Sequence, residues 1–212
     1  MGRRSKTRTL SVWMNGELVG HWRRPASGGQ EFLYAETWLA SAHARPISLS
    51  LPLRPSKNPY REGVEFFFDN LLPDNRQIRE RIQRRFHTPS IGAFDLLAEI
   101  GRDCVGALQL LPEGQSPVNL RQITGERLKT DGVAQLLSRA LGSPFLGEES
   151  FDDTFRISLA GAQEKTALLY RGGVWQRPTH ATPTTHILKV PLGISPQGID
   201  LSSSVENEWL CS

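Results

Sequence analysis

Lys189 stands inside an apolar run, THILKVP (residues 185–191). An unpaired ammonium group in such a strand is costly, so the lysine must either find a partner or reach water along an exposed face. Upstream, FRISLAGAQEKTALL (155–169) alternates like a strand, breaks into a bend of small residues around Gly161, and becomes apolar again. Small residues at a bend let backbone N–H groups approach an anion closely. Downstream, SSVENEWL (203–210) carries Ser203 and Glu206 at the spacing of a capping box, with Glu208 deeper in the same helix. Loop, lysine on a later strand, then helix with a carboxylate is the order in which kinase-like small lobes hold nucleotide phosphates. Either Glu206 or Glu208 can orient the lysine, Glu206 being the one engaged by capping. Read without that order, the bend is a hairpin with a polar tip and the lysine a snorkelling surface residue. A Walker A loop is disfavoured: with its Lys-Thr on Lys165-Thr166, Leu159 and Glu164 occupy the positions that require glycine.

The elements that must position these groups follow from patterning. FRIS and TALLY read as strands flanking the bend, Arg171-Gly172-Gly173 as a tight turn, Val174-Trp175 as a short strand, and HILKV as the strand of the lysine. Nearer the N-terminus, Asn15-Gly16 lies between two strand-like runs and predicts a type I′ hairpin. PISLSLPL (46–53) alternates and predicts a half-buried strand. Asp74 is placed to cap a helix running to about Phe86, and Ser90 to cap another that Gly101 closes. CVGALQLLP (104–112) returns to strand character. The predicted organisation is α+β: an antiparallel, β-rich subdomain with helices over 1–112, a connecting segment with one short helix over 113–150, and a small lobe over 151–212.

Composition sets the limits. The 212 residues suffice for one large or two small domains. Cys104 and Cys211 make neither a disulfide framework nor a zinc spacing. The basic N-terminus lacks the apolar core of a secretory signal, and no run is long and apolar enough to span a membrane, so a soluble cytoplasmic protein is expected. Net charge is +3, yet Arg76, Arg79, Arg81, Arg84 and Arg85 fall on one short helix. These arginines suit either a solvated face beside Ile78, Ile82 and Phe86 or a surface for phosphates or an acidic partner. Direct DNA binding through them ranks lowest, because no helix-turn-helix spacing accompanies them.

Five collinear stretches carry a family resemblance: FFFDNLLPDN (66–75), FDLLAEIGRDCVGALQLLPEG (94–114), FRISLAGAQEKTALL (155–169), PTTHILKVP (183–191) and SSVENEWLC (203–211). In these the chain resembles the HipA family, the serine/threonine protein kinase toxins of bacterial type II toxin–antitoxin modules. The resemblance implies an ATP- and Mg²⁺-dependent kinase whose phosphate loop is Leu159, Ala160, Gly161, Ala162, Gln163 and Glu164, with Lys189 binding the phosphates and Glu208 as its partner. It implies autophosphorylation at Ser158, which ejects the loop; a phosphate adds roughly −1.5 to −2 charge beside a site meant for ATP. It further implies a HipB-like DNA-binding antitoxin as partner, contact with DNA through that antitoxin, and glutamyl-tRNA synthetase as the substrate class, whose inhibition halts translation and promotes dormancy.

Family members continue into a helical large lobe that carries the catalytic aspartate loop and the metal-binding aspartate. No H-R-D-like or D-F-G-like segment occurs in this chain. The expectation is therefore an N-terminal fragment with no catalytic or metal-ligating residues of its own, not competent for phosphoryl transfer when alone. The alternative is a non-catalytic module that binds an antitoxin or a separate large-lobe subunit.

Overall fold

Asn15 and Gly16 take φ of 51° and 85°, the left-handed pair that a type I′ turn requires. They join β1 (Arg8–Met14) to β2 (Glu17–Arg24), with Met14 opposite Glu17. The computed structural model describes residues 7–104, 107–118, 120–129, 131–140, 165–179, 182–194 and 197–211. Those up to Leu120 form one compact unit, and those from Arg121 onward form a second.

In the first unit, β3 (Glu31–Tyr34) and β4 (Leu108–Pro112) complete an antiparallel sheet of order β3-β2-β1-β4. Alternation places Leu10, Val12 and Met14 on one face with Trp22, Phe32, Tyr34, Leu108 and Leu110, all buried. This face packs under α2 (Val64–Asp69), α3 (Arg76–Phe86) and α4 (Ala93–Ile100). Trp22 stacks on Phe68 with centroids 4.0 Å apart and meets the edge of Phe94 at 4.8 Å. A short α1 (Glu36–Leu39) adds Trp38, whose indole N–H donates to the Arg45 carbonyl at 3.0 Å.

Three expectations change here. Residues 46–53 form a tight turn rather than a strand, with a single bridge between Ser48 and Leu51. Ser48 Oγ accepts from the Ser50 N–H, flanking prolines remove ladder donors, and the Tyr34 and Tyr60 hydroxyls take the Leu51 and Pro52 carbonyls. Leu51 is buried while Leu49 is 96 % exposed at the tip, although both sit on the alternating set. The cap of α3 is Asn75, one residue past Asp74: its Oδ1 accepts from the Gln77 N–H at 2.8 Å. Gly92 occupies the N-cap of α4, and Ser90 instead accepts from Gly92 N–H and donates to Asp95.

The arginines of α3 are largely engaged within the molecule. Arg79 binds the Asp69 carboxylate through both terminal nitrogens and the Pro73 carbonyl through Nε. Arg76 pairs with Glu80 one turn on, and Arg85 lies over the Phe86 ring.

The second unit holds β5 (Gly125–Arg127), α5 (Gly132–Ala140), β6 (Lys165–Arg171), β7 (Val174–Pro178) and β8 (His186–Lys189). It continues with β9 (Gly193–Ile194), β10 (Asp200–Leu201) and α6 (Ser204–Cys211). The main sheet is antiparallel, order β5-β7-β6-β8. The β6–β7 turn is Gly172-Gly173, both at positive φ. α5 lies against β6, and Leu136, Ala167, Leu168 and Leu169 are buried. β5 and α5 fall in the stretch 113–150 that patterning reads as a connection. A three-residue strand beginning with glycine has no alternation to read. It is fixed by pairing with β7 and by a threonine clasp, in which buried Thr182 accepts from the Thr124 N–H at 2.9 Å.

Candidate functional site

The site is built from β6, β8 and α6. Thr185, just before β8, donates its N–H to the Leu168 carbonyl at 2.9 Å and accepts from the Tyr170 N–H at 2.7 Å. These two bonds align β8 on β6 so that Leu168 faces His186 and Lys165 faces Lys189. Directly opposed residues of an antiparallel pair share one face. Lys189 therefore shares its face with Lys165, Ala167 and Ile187. Two lysines in opposition repel unless an anion or a carboxylate lies between them.

α6 supplies such a carboxylate. The chain turns back through the β9–β10 pair, and Ser204 at the first turn of α6 accepts from the Leu192 N–H at 3.1 Å. Asp200 Oδ1 accepts from the Ser202 N–H and tightens the entry to the helix. From this position Lys189 Nζ donates to Glu208 Oε1. The lysine side chain is 19 % exposed and the glutamate 54 %, so the ammonium group is drawn under the helix rather than out to water. Glu206, in the first turn, is exposed.

Of the residues singled out in the sequence, the structure brings Lys189 and Glu208 together. Ser158, Leu159, Ala160, Gly161, Ala162, Gln163 and Glu164 lie outside the described residues. Lys165, which immediately follows that stretch and opens β6, is the residue that patterning passes over. No signal in the sequence marks it: the register of β8 on β6 places it opposite Lys189. Among the described residues there is no group of three or more His, Cys, Asp or Glu that could hold a metal ion. Also among the described residues, no helix is long and apolar enough to cross a membrane.

A sequence model of the family described as "HipA N-terminal domain" matches residues 10–111, the first unit almost from end to end. The chain is a HipA-family N-terminal portion. It is 36 % identical over 193 residues to Y4mE of Sinorhizobium fredii, a protein designated a candidate kinase, covering 89 % of this chain and 44 % of that one. It is 26 % identical over 186 residues to the serine/threonine-protein kinase toxin HipA of Shewanella oneidensis, covering 87 % of this chain and 40 % of that one. The chain thus spans less than half the length of these relatives. In fold, it matches HipA in a solved Shewanella oneidensis complex with HipB and operator DNA, with a TM-score of 0.61 at 24 % identity, over 85 % of this chain and 40 % of that one.

Proposed function

We propose that this HipA-family chain provides the nucleotide-holding part of a serine/threonine protein kinase toxin. The observation that carries the reading is the Lys189–Glu208 pair, set on one sheet face beside Lys165. In phosphoryl transfer the protein's work is positioning and electrostatic stabilisation, and a strand lysine held by a helix glutamate is the recurring device. Lys189 and Lys165 would receive the phosphates, Glu208 would keep the Lys189 ammonium aimed at them, and Ala167 and Ile187 would give the same face an apolar floor. The segment Leu159–Glu164 would close over the phosphates as their loop. ATP, when bound, supplies the transferable γ-phosphoryl group.

The rest of the reading follows the family. Phosphorylation of Ser158, next to the loop, would repel the phosphates and close the site to ATP. The protein acceptor would be a translation component of the glutamyl-tRNA synthetase class. A HipB-like antitoxin would be the regulatory partner, a proposal in keeping with the solved complex that this chain resembles in fold. The base that accepts the substrate proton and the carboxylates for Mg²⁺ would come from the lobe that the longer relatives possess.

A second reading has its own observation. Ile194, Ile199, Trp209 and Leu210 are exposed around β9, β10 and α6, as in a module that binds a polypeptide and performs no chemistry. Calorimetry of the 212-residue chain with ATP and Mg²⁺ separates the two. Heat of binding that disappears in Lys189→Ala is the expected result. Equal binding by both proteins would overturn the assignment of Lys189. No binding by the native chain, together with a stable complex formed with a separately expressed large lobe or antitoxin, would favour the module.

A further inference from the structure

β8 is the last strand of its sheet and none of its four residues is buried. Burial of one face normally fixes a strand's register, and where neither face is buried the pairing is free to slip. For this strand a slip has a chemical cost. One residue of slip carries Lys189 to the opposite face of the sheet, and two residues keep the face but take the lysine from its place opposite Lys165. A hold other than the core must therefore fix β8.

Two such holds sit at the start of the strand. The first is Thr185, whose N–H donates to the Leu168 carbonyl at 2.9 Å while its hydroxyl oxygen accepts the Tyr170 N–H at 2.7 Å. A side chain here takes the place of a backbone carbonyl, so this bond depends on residue type as ordinary ladder bonds do not. The second is a cluster of rings. Tyr170 and Trp175 are directly opposed on β6 and β7 with centroids 4.8 Å apart, and the His186 imidazole stands edge-on to Trp175 at 4.9 Å and to Tyr170 at 6.0 Å. His186 Nδ1 lies 2.8 Å from the Thr185 hydroxyl, which joins the two holds. Because His186 opposes Leu168, the rings occupy the face of the sheet opposite to Lys165 and Lys189.

We propose that the Thr185 hydroxyl and the His186 ring are positioning groups for Lys189. From the far face of the sheet they lock the register that sets the lysine opposite Lys165 and within reach of Glu208. The bearing of this lock on ATP rests on the nucleotide-holding reading above, whereas the lock itself does not. Loss of the hydroxyl leaves both lysines in the chain and changes only which groups they face.

A cross-link reads the register directly. Ala167 and Ile187 are directly opposed, at a separation that a disulfide can span. Ala167→Cys with Ile187→Cys, in a Cys211→Ser background that removes the exposed thiol, should close on mild oxidation of the 212-residue chain. Adding Thr185→Val, which keeps the shape but not the oxygen, should slow closure by roughly fivefold, the equilibrium factor of one hydrogen bond. Thr185→Ser should restore it, and His186→Ala should slow it as well. ATP affinity, measured by calorimetry on the same replacements without the cysteines, should follow the same order. The urea midpoint should stay at the native value, since Thr185 and His186 are both exposed. Closure unchanged by Thr185→Val, or slowed equally by Thr185→Ser, would overturn the lock. Slowed closure with ATP affinity intact would overturn its role at Lys189. No ATP binding by the native chain, with closure still governed by Thr185, would refute the nucleotide reading and leave the lock standing.

Discussion

The two units are stabilised in different ways. In the first, rings from two strands and two helices fill one sheet face, and Trp22, Phe32, Phe68 and Phe94 touch one another in a chain of stacked and edge-on arrangements. In the second, the sheet buries a few small and aliphatic residues, and α6 buries none at all. An eight-residue helix is too short to persist on propensity alone. What fixes α6 is polar: Ser204 at its start and the Lys189–Glu208 pair in its middle. The first unit is therefore a scaffold built on a packed aromatic core, whereas α6 of the second is held by polar contacts.

The sharpest way to break this contrast is Trp22→Ala. Removing a fully buried indole from the aromatic chain should cost about 3–5 kcal/mol, read as a shift of the urea midpoint. A loss below about 1 kcal/mol would mean that the first unit is not organised around this ring.

Asp95 comes next. Burial alone would raise its carboxyl, but hydrogen bonds from Ser90 and Arg8 and the charges of Arg8 and Arg24 outweigh that and hold it below the usual aspartate value. Because the folded state has the lower value, the stabilisation is complete above the unfolded aspartate value and is lost as pH falls through the folded one. Asp95→Asn should lower stability at neutral pH by about 1–3 kcal/mol, less than for a wholly buried pair because both arginines reach water. It should also shallow the decline of stability in acid, and identical acid profiles for both proteins would contradict the assignment.

Glu208→Gln should change global stability by no more than about 0.5 kcal/mol, since the carboxylate is half in solvent, while weakening ATP binding. A large stability loss with ATP affinity intact would reverse the roles assigned to the two units. The smallest effect belongs to Leu49→Ser at the exposed turn tip, within about 0.5 kcal/mol of the native chain by the same denaturation measurement.

Leu49 also marks where patterning in the sequence fails. Period-two alternation over 46–53 is real, but it measures spacing and not pairing, and the chain there is held by tyrosine hydroxyls contributed from 13 and 8 residues away. Asn15-Gly16 was legible because a type I′ turn restricts which residues can occupy it. The capping position of α3 was legible to within one residue, since Asp74 and Asn75 have nearly the same capping chemistry. β5 was not legible, because its place depends on partners 49 to 53 residues downstream. At the candidate site, Lys189 was conspicuous as a charge in an apolar strand. The choice between Glu206 and Glu208, and the presence of Lys165 across the ladder, depend on helix phase and strand register, which only the folded chain displays.

The position of Trp209 has a spectroscopic consequence. It directly follows Glu208 and is 76 % exposed, whereas Trp22 and Trp38 are sealed in the first unit. Emission excited at the indole band should accordingly run from a short-wavelength part due to Trp22 and Trp38, through an intermediate part from half-buried Trp13 and Trp175, to a water-shifted part from Trp209 that reports α6. Nucleotide, antitoxin or a second lobe arriving at that helix would be visible in the long-wavelength part without any added label.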